Sequence, residues 1–205
     1  MIVLDCPQGG DEWVTARLGI ATASQFHRIL TKKTMKPSAQ AKGYLHELLA
    51  EWAIGFPLDD AASGFMERGT ALEDAAADFY EFQSDVNTTK VGLVLSDDRR
   101  VGCSPDRLVG DDGGLEIKCP SAKVHVSYIL GTPVDDYRAQ VQGALWLTDR
   151  KWWDVLSYHP ELPPALVRVE RDDAFILALS STVADFLDRL DDAKVSMKGK
   201  GVLHV

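Results

Sequence analysis

Two carboxylates and one ammonium are concentrated in the stretch CSPDRLVGDDGGLEIKCP, residues 103–120. Glu116 and Lys118 are separated by one residue, so in a strand their side chains point to the same face. The sequence DDGG is a hairpin signal, and a hairpin there would bring Asp106 beside them. Two carboxylates on one face repel each other unless a cation joins them, and their hard oxygen atoms suit Mg²⁺ or Mn²⁺. An ammonium beside such a metal can orient or deprotonate a water that attacks a phosphate.

The same pattern has a purely structural alternative. An aspartate followed by Glu-x-Lys occurs by chance in many chains, and the charges would then form an ion pair on a solvated sheet face. A third carboxylate favours chemistry, because Glu73 borders the apolar face of a predicted helix at 64–83. Gly69, one turn earlier on that helix, leaves room for a close approach. The sequence therefore predicts a metal-dependent site built from Asp106, Glu116 and Glu73.

Composition limits the kind of protein this is. The 205 residues, 45% of them hydrophobic, can bury a sizeable core, and we expect a single domain over 1–205. The sequence has no apolar run of about 18 residues that would span a membrane, and its N-terminus lacks the pattern of a secretion signal. The three cysteines lack CxxC spacing, which suits a reducing cytoplasm and excludes a self-contained four-cysteine zinc or iron–sulfur site. A cytoplasmic protein without a membrane segment is therefore expected.

The charge is unevenly distributed along the chain. A net charge of −9 opposes a nucleic-acid partner, since phosphate contacts need cations. Between Trp13 and His46, however, no acidic residue occurs. The cations of this segment are Arg17, Arg28, Lys32, Lys33, Lys36 and Lys42. Such a basic stripe concentrates a polyanion on one surface of an acidic protein, although a merely solvated basic loop remains the alternative.

Hydrophobic periodicity predicts the elements that would position these residues. Helices are predicted near 22–30 and at 44–55, 64–83, 135–149 and 173–193, with a mobile loop at 31–43. Strands are predicted at 91–96, 101–110, 115–120, 152–159 and 165–170. This order predicts an α/β (α+β) fold, in which a mixed central β-sheet is flanked by helices.

Gln140 lies within the apolar-edged face of the predicted helix 135–149, whereas Gln142 falls about 200° away from it. A glutamine in the position of Gln140 must be hydrogen-bonded, either to backbone or to a ligand. The pattern alone favours the backbone.

The segments EWVTARLGIATAS, RGTALE, CSPDRL with GLEIKCP, and YRAQVQGALWLT stand in this order in the sequence. In these motifs the chain resembles the phage lambda exonuclease / YqaJ-like viral recombinase family, over about residues 8–160. The resemblance implies the restriction-endonuclease-like core of the PD-(D/E)xK nuclease superfamily. It also implies a Mg²⁺-dependent, processive 5′→3′ exonuclease that acts on double-stranded DNA ends as a ring-shaped homotrimer. Such enzymes, of phage or prophage origin, leave 3′ single-stranded tails for a single-strand annealing protein of the Red-beta/RecT type.

The resemblance also implies residue roles. Lys118 would activate the water. Two Mg²⁺ ions, for which Mn²⁺ can substitute, would be held by Asp106, Glu116, the Ile117 backbone carbonyl and Glu73. A pocket for the 5′-phosphate of the digested strand would consist of Arg17, Thr22, Ser24, Ser104 and Gln140. The arginine fork, the hydroxyls and a helix N-terminus near Ser24 all suit an anion. The charge of the basic segment, and not the resemblance, suggests that the duplex would be contacted by Arg28, Lys32, Lys33, Lys36 and Lys42.

One position departs from the family pattern. The family has an additional acid upstream of the site aspartate, where this chain has Ser96 followed by Asp97 and Asp98. Either a one-residue shift supplies that acid, or the acid is not essential here.

Two other functions are compatible with the sequence. One is a structure-selective endonuclease of the same superfamily, and the other is a non-catalytic, DNA-end-binding recombination scaffold. The intact set of Asp106, Glu116 and Lys118 disfavours the scaffold, because a scaffold does not need it.

Overall fold

The computed structural model describes residues 1–58, 64–131 and 134–202, without the side chains of 64–70 and 134. The helices are Asp11–Arg17 (α1), a 3₁₀ helix Ala23–Arg28, Ala41–Ile54 (α2), Gly64–Ser84 (α3), Ala122–Leu130 (α4), Val134–Thr148 (α5) and Asp173–Gly199 (α6). The strands are Ile2–Leu4 (β1), Ala21–Thr22 (β2), Thr88–Thr89 (β3), Leu93–Leu95 (β4), Val101–Cys103 (β5), Arg107–Val109 (β6), Gly113–Lys118 (β7), Trp152–His159 (β8) and Leu162–Glu170 (β9). None of the helices in these ranges is both long and apolar enough to span a membrane.

The strands form two mixed sheets. The first has the order β1-β4-β5-β2 and the second the order β3-β6-β7-β8-β9. Each contains one parallel pair, β2 with β5 and β7 with β8, and the other pairs are antiparallel. The expected α/β class with flanking helices is confirmed. The strands are, however, divided between two sheets, where one central sheet was expected.

One large apolar core joins the two sheets. It combines Val94 and Val101 of the first sheet with Trp153 and Val155 of the second, beneath α2, α5, α6 and the 3₁₀ helix. Because both sheets contribute to the same core, they form one unit.

A smaller core covers the other face of the second sheet. There Ala76 and Tyr80 of α3 pack against Leu115 and Ile117 of β7. Since strand side chains alternate between faces, Glu116 and its neighbour Lys118 are directed away from α3 and towards α5. The two cores therefore fix which face of β7 carries the charged residues.

The predicted strand at 101–110 is two strands in different sheets. β5 belongs to the first sheet and β6 to the second, and the chain crosses between them at 104–106. Pro105 lies at the centre of this crossing, and its lack of an N–H prevents it from continuing a ladder. The crossing places Ser104 and Asp106 at the junction of the two sheets, which one continuous strand would not do.

The predicted hairpin between β6 and β7 is confirmed, but its turn begins earlier than expected. The turn consists of residues 110–112, with Gly110 at φ +51°, while Gly113 and Gly114 already belong to β7. A Cβ atom at either glycine would overlap an indole ring, that of Trp152 at Gly113 and that of Trp153 at Gly114. This glycine pair therefore serves the contact with β8 and not the turn.

Most of the other predicted elements are confirmed with shifted ends. The helices at 44–55, 64–83, 135–149 and 173–193 correspond to α2, α3, α5 and α6. The helix near 22–30 is a 3₁₀ helix, and the predicted loop at 31–43 contains a turn in which Thr31 N donates to Lys36 O at 2.9 Å. The sequence patterns did not predict β1, β2, β3, α1 or α4. Gln142, off the predicted apolar face, is nevertheless buried and donates to Glu170 O.

Candidate active site

Asp106 completes the edge of β7 where β6 no longer pairs with it. The last paired residues are Arg107 and Leu115, so residues 116–118 extend beyond β6. In this gap Asp106 Oδ2 accepts a hydrogen bond of 2.5 Å from Ile117 N. Because the N–H and C=O of a strand residue point to the same edge, the Ile117 carbonyl also faces the edge where Asp106 lies. The Asp106 carboxylate and the Ile117 carbonyl are therefore two oxygen groups at the same edge of β7, next to the start of β6.

Glu116 is the centre of a buried polar cluster on the opposite side of β7 from α3. It is 4% exposed, and its Oε1 accepts from Lys118 Nζ at 2.5 Å and from Gln140 Nε2 at 2.6 Å. The Lys118 ammonium also lies 4.9 Å from the ring centroid of Tyr137, whose hydroxyl is 2.8 Å from that of Tyr128. Gln140 thus donates to a carboxylate and not to backbone, which the pattern alone favoured.

The charges of this cluster are unbalanced. Burial raises the pKa of Asp106 well above its usual range, and the Glu116 carboxylate raises it further. Burial lowers the pKa of Lys118, but the carboxylates of Glu116 and Asp106 outweigh that effect and raise it. Two carboxylates therefore share one ammonium in a poorly solvated place. A hard divalent cation relieves this repulsion, and the oxygen donors fit Mg²⁺ or Mn²⁺.

Glu73 lies close to this site but is held by an arginine. Arg107 is 6% exposed, and it donates from Nη1 to Glu73 Oε1 at 2.9 Å and from Nη2 to Asp74 Oδ1 at 2.6 Å. Asp74 is exposed and is also paired with Lys90. Arg107 Nη1 also donates to the Asp106 backbone carbonyl at 2.6 Å, which places Glu73 near Asp106. In the described ranges no group of three or more His, Cys, Asp or Glu side chains is arranged to hold a metal.

A polar pocket adjoins Glu116. Its lining includes Arg17, Thr22, Ser24, Ser104 and Gln140 together with Glu116 itself. These residues come from the end of α1, β2, the 3₁₀ helix, the β5–β6 crossing and α5, so the tertiary structure alone brings them together.

The donors of this pocket suit an anion. Arg17 Nη1 donates to Ser104 Oγ at 3.2 Å, and the hydroxyl oxygens of Thr22 and Ser24 are 3.3 Å apart. Burial lowers the pKa of Arg17, because its guanidinium lacks full solvation by water. An anion in the pocket would replace that missing solvation. A guanidinium, hydroxyls and an amide are the groups that proteins use to hold phosphate.

Two cations of the basic segment form ion pairs within the protein. The Arg28 guanidinium donates to Glu47 of α2 at 2.5 and 2.7 Å, and Lys32 is paired with Asp136 of α5. Lys33, Lys36 and Lys42 are exposed. The side chains of these three lysines are therefore better placed to contact a partner than those of Arg28 and Lys32, which form ion pairs within the protein.

The acids that follow Ser96 lie away from the site. They belong to the turn between β4 and β5, at the opposite end of β5 from Ser104. Asp97 is paired with the N-terminal amine, and Asp98 accepts from Ser96 Oγ at 2.5 Å and from Arg100 N at 3.1 Å. A one-residue shift therefore does not bring a further acid to Asp106.

Sequence reasoning missed two residues that organise the site. Arg107 stands beside Asp106 in sequence, but only the structure shows that it holds Glu73. Trp13 donates from Nε1 to Ser104 Oγ at 2.9 Å, and its ring centroid lies 3.9 Å from the Arg17 guanidinium. The spacing of Trp13 and Arg17, four residues apart on one helix, is a signal that could have identified this pair.

Comparison with known proteins gives consistent matches. The YqaJ-like viral recombinase domain matches residues 12–151. The alkaline exonuclease LHK-Exo from Laribacter hongkongensis is similar at 36% identity with a TM-score of 0.84, over 94% of this chain and 98% of that one. Its structure in complex with dAMP matches at 35% identity and a TM-score of 0.85, over the same shares of both chains. A phage-related exonuclease from Haemophilus somnus 129PT, 16% identical, matches with a TM-score of 0.72 over 87% of this chain and 96% of that one, which supports the fold alone. No curated protein sequence matches the chain.

Proposed function

The chain belongs to the YqaJ-like viral recombinase family, and from this premise we propose that it is a Mg²⁺-dependent 5′→3′ exonuclease of linear double-stranded DNA. It digests the strand that carries a 5′-phosphate and leaves 3′ single-stranded tails. One observation carries the proposal: Gln140 lines the polar pocket and donates to Glu116, so a pocket suited to a phosphate adjoins a pair of carboxylates suited to a metal. The exonuclease activity named for LHK-Exo supports the same reaction.

The metal-binding groups in this proposal are Asp106, Glu116 and the Ile117 carbonyl, with Glu73 beside Asp106. Two Mg²⁺ ions, or Mn²⁺ in their place, would polarise the scissile phosphate and stabilise the attacking and leaving oxygens when bound. Lys118, in the ammonium form that the two carboxylates favour, orients the attacking water and offsets charge on the phosphate. Gln140 keeps Glu116 in place through its hydrogen bond.

The polar pocket recognises the end of the strand. Arg17 supplies two parallel N–H groups to the 5′-phosphate, and the hydroxyls of Thr22, Ser24 and Ser104 supply single donors. A relative crystallised with dAMP, a nucleotide that carries one phosphate, supports a site of this kind.

The assembly and partners are proposed from the family resemblance. The chain forms a homotrimeric ring around the duplex and passes the 3′ tails to a single-strand annealing protein of the Red-beta/RecT type in the bacterial cytoplasm. The exposed lysines 33, 36 and 42 face the duplex, which reconciles DNA binding with the net charge of −9.

The deciding experiment is digestion of linear duplex DNA with 5′-phosphate or 5′-hydroxyl ends, in Mg²⁺ or EDTA. We expect one strand to be lost from 5′-phosphorylated ends in Mg²⁺ only. Lys118→Ala should reduce the rate at least ~100-fold while DNA binding persists, because water positioning is lost. Lys151→Ala is the matched control, since Lys151 is exposed and paired with Asp112 at the far end of the hairpin.

Other outcomes support other functions. Cleavage of covalently closed circles would favour the structure-selective endonuclease, because a circle offers no end to the pocket. DNA binding without cleavage under every metal condition would favour the recombination scaffold.

A further inference from the structure

Trp13 lies behind the polar pocket and contacts two of its residues. The indole lines a neighbouring groove, which shares Arg17 and Thr22 with the polar pocket. Its ring lies beneath the Arg17 guanidinium at 3.9 Å, and its Nε1 donates to Ser104 Oγ at 2.9 Å. Trp13 and Arg17 are four residues apart, so α1 itself holds the ring against the guanidinium. One side chain thus supports both an arginine and a serine of the pocket.

The hydrogen bonds of Ser104 determine which way its hydroxyl proton points. A serine hydroxyl has one O–H donor and two lone pairs that accept. Indole and guanidinium nitrogens can only donate, so Trp13 at 2.9 Å and Arg17 at 3.2 Å occupy both lone pairs. The proton of Ser104 must then be directed to a third partner. Since Ser104 lines the pocket, that partner is whatever acceptor the pocket holds.

We propose that Trp13 is a specificity-determining positioning residue, which makes the pocket accept a terminal 5′-phosphate in preference to a 5′-hydroxyl. By filling one lone pair of Ser104, it leaves that hydroxyl available only as a donor. By stacking beneath Arg17, it fixes the plane of the guanidinium fork. A phosphate oxygen only accepts and satisfies both residues. A 5′-hydroxyl finds no acceptor on Ser104 for its own proton and offers no charge to Arg17.

The role of Trp13 rests on the proposed function of the pocket, and a binding experiment in EDTA separates the two. Hairpin duplexes with a 5′-phosphate or a 5′-hydroxyl are titrated against the wild-type protein and against Trp13→Phe, without cleavage. Phenylalanine keeps an aromatic ring beneath Arg17 but lacks the indole N–H. The ratio of the two affinities should fall about fivefold in the variant, the value of one hydrogen bond.

Two controls make the result specific. Trp152→Phe removes an indole that also lies beneath a stacked arginine, Arg168 at 3.7 Å, but on β8, and it should keep the wild-type ratio. In a Ser104→Ala background, Trp13→Phe should cause no further loss, because Trp13 acts through Ser104. If Trp13→Phe unfolds, replacement of Trp13 by benzothienylalanine, which exchanges the N–H for sulfur at nearly constant shape, gives the same readout.

Three results would overturn the role of Trp13. The first is an unchanged ratio in Trp13→Phe. The second is an equal loss with and without Ser104, which would make the effect a general one on α1. The third is a wild-type protein that does not distinguish the two ends, which would remove the proposed function of the pocket and the role of Trp13 with it.

Discussion

The carboxyl of Asp106 lies in a place that disfavours its charged form. Its pKa in the folded protein is raised, first by burial and then by the Glu116 carboxylate, so folding favours the protonated acid. The stability from this preference is present below the unfolded pKa and is lost as the pH rises through the folded value. Without metal, the Asp106 carboxyl therefore contributes less to the stability of the fold at pH 8 than at low pH.

Asp106→Asn should be inactive, because it removes a carboxylate of the proposed metal site. It should nevertheless be more stable than the wild type in EDTA at pH 8. Asparagine is neutral, and its amide oxygen can still accept from Ile117 N, so we expect the free energy of unfolding to rise by about 1 kcal/mol. Urea unfolding at pH 8 and pH 5 measures this, and the gain should shrink at the lower pH. Asp97→Asn, at an exposed acid of the β4–β5 turn, is the control. A less stable Asp106→Asn at pH 8 would contradict the electrostatic account.

The sequence was informative about some residues of the site and silent about others. Strand alternation and the hairpin signal predicted that Asp106, Glu116 and Lys118 converge, because these rules act over a few residues. The contact of Trp13 with Ser104 joins residues far apart in sequence, on a helix and a crossing that no local pattern connects. The ion pair of Arg107 with Glu73 likewise depends on how α3 packs against the second sheet.

Among the elements, β7 contains glycines, which have a low strand propensity, and it depends on them for its contact with β8. Gly114→Ala should lower the free energy of unfolding by about 1–3 kcal/mol, because the added methyl group overlaps the buried Trp153 ring. Nuclease activity should fall with it, since a displaced β7 carries Glu116 and Lys118 away from Asp106. Thermal unfolding and the digestion assay measure both effects.

Gly199→Ala, near the end of α6, is the matched control for that substitution. A Cβ there meets no atom within 4 Å, so the protein should be unchanged or slightly stabilised. Equal effects at the two glycines would show that the indole contact is not what requires Gly114.

The predictions of helices with a long periodic pattern were confirmed. Elements without such a pattern, and strands that exist only through pairing with other strands, were missed. α2, α3, α5 and α6 carry extended helical periodicity and were found from sequence. α4 was missed because its apolar residues do not follow one buried stripe: Val124, Val126 and Leu130 are exposed, and His125 is buried. β1 and β2 are too short to show alternation, and they exist through their pairing with β4 and β5.

At the scale of the whole molecule, the proposed function requires an acidic protein to bind a polyanion through few cations. Replacing Lys33 and Lys36 together by alanine should weaken DNA binding and reduce the slope of log affinity against log salt by about 0.9 for each phosphate that these lysines neutralise. Both side chains are exposed, so folding should be unaffected. Fluorescence anisotropy over a salt series measures the slope. Lys151→Ala should leave it unchanged, and an unchanged slope in the double variant would remove this segment from the DNA path.

The crossing between the two sheets also limits the distance between the pocket for the strand end and the candidate metal site. Ser104, in the pocket for the strand end, and Asp106, at the candidate metal site, are separated only by Pro105. Their Cα atoms therefore lie at most about 7 Å apart, and the proline ring limits how far that distance can vary. The gap between neighbouring phosphates of a DNA strand is of the same order. Under the proposed function, the length of the released fragment is therefore set by the polypeptide backbone itself, at one nucleotide for each cut.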